Sequence, residues 1–167
     1  MLIITNKDMK TLRNVAAKIT TQAYRSYQGG FFKVLLSPEQ TAECMALVDM
    51  TLPRGAEPPV HVHSREDETF YLLSGEMTFK IGDKTIKAVS GDAVFAPRQT
   101  PHLFSIESES ARFLTLITPG QFLNYFLEFS FPAAEELKVV PPQGPPPAEV
   151  IRHMTSQLIG KYGVLFV

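Results

Sequence analysis

An all-β fold, a small barrel or a two-sheet sandwich, is the plainest reading of this chain, and three observations carry it. From Phe31 onward, short apolar or alternating runs of strand length follow one another, separated by turn residues. Two of these runs flank Gly82-Asp83, a good two-residue hairpin connection because Gly accepts a positive φ. No helical segments alternate with the runs, which removes the parallel α/β architectures and leaves a barrel or sandwich.

Taken in order, the first 27 residues are ambiguous. Met9, Leu12, Ala16 and Ile19 recur at helical spacing, but threonines and β-branched residues dilute the pattern. Strands are predicted near 31–36, 44–52, 60–63, 69–73, 76–81, 84–89, 93–96, 102–106 and 112–117. Past Pro119-Gly120 the texture changes: Phe122, Tyr125, Phe126 and Phe129 follow i, i+3, i+4, i+7 spacing, which favours a helix, while their aromatic character keeps a strand open. Pro141-Pro142-Gln143-Gly144-Pro145-Pro146-Pro147 can build neither a ladder nor a helix and reads as a stiff extended linker. Ile151, Met154 and Leu158 then form an apolar helical stripe, with Gly160 as the expected C′ residue. That stripe must dock on something, either the outside of the barrel or a second subunit.

With 167 residues the chain fits one domain, residues 1–167, and can bury a real core. Its 44% hydrophobic and 20% charged residues are an ordinary globular balance. Net charge is −1 and no basic stripe or arm appears, so nucleic acid and anionic membrane are poor partners. No apolar run approaches the roughly 20 residues that span a bilayer. The first eight residues lack the charged-then-apolar order of a secretion signal. Cys44 stands alone, which rules out an intrachain disulfide and suits a reducing compartment, so a cytoplasmic location is expected.

The chemistry lies in two segments. In the first, His61 and His63 are two apart on a strand, so both imidazoles face the same way. A His-x-His pair alone is more often a coincidence than a ligand pair, but three of the four histidines fall in these two segments. Neutral imidazole suits Fe, Mn, Ni, Cu or Zn. After a short turn, Glu68 begins the next strand and can return a carboxylate to the same place; His102 follows in the second segment. The fourth histidine, His153, reads as solvated or at the edge of the core. Glu66 and Asp67 read mostly as solvated charges, with Asp67 a distant alternative ligand, and Arg65 and Arg98 as solvated rather than steering an anionic substrate. Phe70 and Leu72 share strand parity with Glu68, and Phe104 shares it with His102, so inward-facing ligands would put all three on the cavity wall.

These segments resemble the cupin family. Gly55, His61, His63, Glu68 and Gly75 match every defined position of its first motif, Gly-x5-His-x-His-x4-Glu-x6-Gly. Gly91, Pro97 and His102 match the second motif at the usual spacing, while Gln99 stands where Gly is common and Ile106 where Asn is common. The first departure puts the local turn in question, and the second suggests a more apolar pocket floor. The resemblance implies a double-stranded β-helix, or jelly-roll barrel, over about residues 28–118, with a C-terminal helical extension over about 119–167. It implies one divalent transition metal (Fe, Mn, Ni, Co, Cu or Zn) held by His61, His63, Glu68 and His102, and a homodimer.

Three histidines and one carboxylate leave residual positive charge on such an ion, favouring water, O₂ or an anionic oxygen ligand. Glu68 can stay bound or accept a proton. The resemblance, which extends loosely to small quercetin-dioxygenase-like cupins, implies a metal-dependent dioxygenase acting on a small enol, flavonol or catechol-like molecule, with Glu68 as its catalytic residue. A metal-dependent isomerase or lyase, and a non-catalytic cupin that only binds a small molecule, remain open, because fold does not fix function.

Overall fold

The computed structural model describes residues 23–167; the helical spacing of Met9 to Ile19 lies outside them. In chain order the strands are β1 Arg25–Tyr27, β2 Gly30–Leu36, β3 Ala46–Pro53, β4 His61–His63, β5 Asp67–Ser74, β6 Glu76–Ile81, β7 Lys84–Val89, β8 Ala93–Ala96, β9 His102–Ile106 and β10 Ser110–Thr118. A 3₁₀ turn at Gly120–Phe122 leads into helix α1, Leu123–Glu128; β11 is Phe131–Pro132, α2 is Ala148–Gln157, and β12 is Val164–Phe166. The strands form two antiparallel sheets, ordered β11-β1-β2-β3-β10-β5-β8 and β12-β4-β9-β6-β7. They pack as a jelly-roll sandwich rather than closing into one barrel.

Alternation along each strand decides which side faces the interior. In β10, Ala111, Phe113, Thr115 and Ile117 are buried, while Arg112 between them is exposed. Between the sheets, the rings of Phe70, Phe79, Phe104 and Phe113 meet at centroid separations of 5.1–6.1 Å. Burying each such side chain contributes ~1.5–3 kcal/mol. The β6–β7 hairpin turns on Gly82, at φ 55°, with Ile81 paired to Lys84.

Three short strands lie outside the expected 28–118 core, so the extension is not purely helical. β1 pairs with both β2 and β11. β12 pairs with β4 along its whole length, Val164 opposite His63 and Phe166 opposite His61. The proline-rich segment forms neither helix nor strand and bends at Gln143-Gly144, and the residue ahead of it is pinned to the β1–β2 turn: the Val140 N–H donates to the Gly29 carbonyl at 2.7 Å. The helical stripe docks on its own chain, over the open end of the sandwich. Gly160 does not end α2. A turn of π-helix follows over Leu158–Tyr162, and the left-handed residue is Gly163, at φ 69°.

Gly29 is where this arrangement depends on glycine. It sits at φ +78°, and a Cβ there would collide with the Val140 carbonyl. Gly29→Ala is therefore expected to destabilise the protein by about 1 kcal/mol or more. It should also speed hydrogen exchange at the Val140 amide while leaving the β3–β10 amides protected, as NMR-detected exchange would report. Unchanged protection at Val140 would contradict the pinning.

Candidate metal centre

β4 and β9 pair with His61 directly opposite His102, and their rings lie 4.4 Å apart between centroids. His63, two residues along β4, faces the same way. Glu68 arrives from the other sheet, held on β5 between Ile117 of β10 and Ala96 of β8. One ligand atom from each of His61, His63, Glu68 and His102 falls within 4.8 Å of all the others, and all four side chains are buried. The four residues assigned from the sequence are thus brought to one point, where two sheets face each other.

The surroundings set the state of each donor. His61 Nδ1 lies 2.9 Å from the Pro59 carbonyl, and His102 Nδ1 lies 2.9 Å from that of Thr100. Each Nδ1–H donates to a carbonyl, which turns Nε2 toward the centre with its lone pair available. Burial pushes the His61 pKa down to about 4, so this imidazole is neutral at physiological pH. Burial alone would raise the Glu68 carboxyl, but the surrounding His63, His102 and His61 hold it near 2, and it is ionised. Its Oε2 lies 3.3 Å from His102 Nε2 and 3.5 Å from His63 Nε2. Burial opposes charging of His102, yet this carboxylate raises its pKa. A proton on His102 Nε2 and a cation are alternative occupants of one lone pair. The donor set, three imidazoles and a carboxylate in a small buried space, fits a single divalent transition metal.

Glu66 is a correction. It is buried rather than solvated, and its Oε2 faces His63 Nδ1 at 3.4 Å, neither atom having a hydrogen-bond partner. The turn after β4 folds the carboxylate back beneath the ring, where it orients His63 from behind. Phe122, on the 3₁₀ turn, presses edge-on against the same imidazole at 4.5 Å. Sequence reasoning saw the aromatic run from Phe122 but had no signal tying it to the centre. Asp67 is not a ligand: it is held by Arg98 through a 2.6 Å ion pair and by the Arg98 backbone N–H. Arg98 is occupied by that pair, and Arg65 donates to the Lys161 carbonyl. His153 is exposed, with its ring beside Phe129.

The centre opens into a cavity of about 700 Å³, which Phe70 and Phe104 line as expected. Leu72 does not line it. That residue is one pleat further along β5, opposite Phe113 and sealed in the core. Ile106 is likewise buried, against Met77, and is no part of the pocket floor. Gln99 takes up the left-handed backbone, φ 61°, that a glycine would adopt without strain. Its N–H donates to the His63 carbonyl at 2.7 Å, so the turn is kept despite the substitution.

A family model described as "Cupin domain" matches residues 48–117. Residues 48–117 are thus the part of the chain that matches a cupin domain. Among curated proteins it is similar to quercetin 2,3-dioxygenase of Bacillus subtilis, 27% identical over 94 residues, which are 56% of this chain and 28% of that enzyme. This chain thus corresponds to little more than a quarter of the enzyme's length. Among solved structures it is similar to KdgF from a Halomonas species, with TM-score 0.53, 20% identity, and coverage of 60% of this chain and 89% of that one. A predicted oxalate decarboxylase from Thermotoga maritima gives TM-score 0.53, 23% identity, and coverage of 60% and 96%. These two likenesses establish the cupin fold and nothing finer. No helix of the described residues is long and apolar enough to cross a membrane.

His61→Ala removes one donor and should cut the divalent metal retained by the purified protein at least tenfold, whereas His153→Ala should leave it unchanged. Glu66→Gln should fall between them, with affinity lowered about tenfold. Elemental analysis after dialysis against a weak chelator checks all three, and equal metal content in the His61 and His153 variants would contradict the assignment.

Proposed function

We propose that this protein is a metal-dependent cupin enzyme of the dioxygenase type, acting on a small enol, flavonol or catechol-like substrate at His61, His63, Glu68 and His102. The observation that carries the reading is a buried three-histidine, one-carboxylate group set into a cavity whose walls are largely aromatic and aliphatic. The likeness to quercetin 2,3-dioxygenase supports it over the cupin domain.

When bound, a divalent transition metal supplies a Lewis acid that favours the deprotonated form of an oxygen ligand and, if redox-active, access to O₂. The chain's own groups do the rest. Glu68 borders the cavity, so its carboxylate oxygen is placed to receive the proton of an enol hydroxyl; because the surrounding histidines keep it a weak base, the transfer relies on that hydroxyl being acidified. The Nδ1 hydrogen bonds of His61 and His102 fix both rings, so no reorientation is needed as charge develops on the substrate. Phe70, Phe104 and Phe113 offer flat apolar surface to an aromatic or delocalised substrate and keep water from the reacting oxygen.

The test is steady-state O₂ uptake with a flavonol and with simple diketones, after restoring Fe, Mn, Ni or Co to metal-free protein. Uptake should require the metal. Glu68→Gln should lower turnover at least 10²-fold while reducing metal content far less, because Gln still offers an oxygen donor but takes no proton. Undiminished uptake by metal-free protein would end this mechanism. Ligand binding without uptake under any metal would favour a binding protein.

A further inference from the structure

The cavity's outer wall comes from outside the residues that match the cupin family model. Ile151, Met154 and Leu158 of α2 and the turn after it line the same cavity as the His/Glu group. A helix docked on a protein ordinarily buries its apolar stripe. α2 buries none of its residues: Met154 and Leu158 are half-buried, and Ile151 is 41% exposed. The stripe is only partly covered: Met154 and Leu158 touch the core on one side and border the cavity on the other, while Ile151 is exposed.

The helix is nevertheless held at both ends. Upstream, the chain just ahead of the proline-rich segment is bonded to the β1–β2 turn through Val140 and Gly29. Downstream, β12 pairs along β4, the strand that carries His61 and His63, and the Ser64 N–H donates to the Gly163 carbonyl. The gap of about 700 Å³ is thus fixed by the backbone on either side, and its apolar lining continues from the core aromatics to the helix.

We propose that α2 is the size-selecting wall of the substrate cavity, with Ile151, Met154 and Leu158 as specificity-determining residues. The ligand they select is apolar and long enough to reach from the His/Glu group to the helix: a molecule of two or more linked or fused rings rather than an acyclic or one-ring diketone. Such a ligand completes the covering of a stripe that the protein itself covers only in part, whereas a small diketone would leave most of the volume to water. This rests on the reading that substrate meets the protein at the His/Glu group, and it narrows the substrate classes allowed there.

Equilibrium titration of the metal-loaded protein with quercetin and with acetylacetone tests it without reference to turnover. The wild type should bind quercetin at least tenfold more tightly than acetylacetone. Met154→Trp, which pushes a bulkier ring into the cavity from the α2 side, should weaken quercetin at least tenfold and change acetylacetone less than twofold. Ile151→Asp, at an exposed position that folding tolerates, should weaken quercetin in the same selective way; thermal melts establish that both variants are folded. Equal affinity of the wild type for the two ligands would overturn the proposal, as would quercetin affinity indifferent to both substitutions. O₂ uptake separates the two ideas. Selective loss of quercetin binding with no uptake by any metal form would refute the oxygenase reading and support the wall, while uptake with unchanged KM for quercetin in both variants would refute the wall alone.

Discussion

The pairing of two short strands, β4 and β9, is the constraint on which the rest depends. It sets His61 across from His102 and so places two of three imidazoles within a ring's width of each other. A slip of one residue would turn His61 and His63 away from the interior. β4 is only three residues long, and it is steadied by β12 along its other edge, so the last strand of the described chain holds the first two ligands in place. Glu68 belongs to the opposite sheet, and the centre therefore also registers how the two sheets pack. Putting a carboxylate among imidazoles in a buried space carries a desolvation cost, which a divalent ion offsets better than a shared proton can.

Much of this was legible in the sequence because the signals were local. His-x-His gives one face of a strand, and all nine predicted strands exist with bounds shifted by two residues or fewer. Parity told which face Leu72 and Ile106 occupy, but not how deep along the sandwich they lie; depth comes from the register with β10 and β6. Glu66 was misread for a related reason. A charged residue in a turn is usually solvated, and only the fold of this turn beneath His63 buries it. β1, β11 and β12 carry two or three residues each and exist because distant segments pair with them, which no local pattern records. Gly163 rather than Gly160 takes the left-handed turn because a π-helical turn carries the chain past the expected stop.

The division of labour between domain and extension bears on function. Residues 48–117, which match the family model, contain every proposed ligand and the inner aromatic wall. Residues beyond 119 complete the wall: Phe122 of the 3₁₀ turn sits against His63, α1 brings Tyr125 and Phe126, and α2 adds its partly covered stripe. Likeness over the domain thus speaks to the fold. The space that a substrate must fill is completed by residues beyond the matched segment, and chemistry and selectivity can vary independently on such a scaffold.

Everything above turns on whether His61, His63, Glu68 and His102 hold one ion. Anomalous diffraction from crystals of the protein loaded with Mn or Co, collected on both sides of the metal edge, addresses this directly. One peak per chain is expected, with imidazole nitrogens and a Glu68 oxygen at about 2.0–2.3 Å. No peak among these four side chains, or a peak held by other residues, would contradict it.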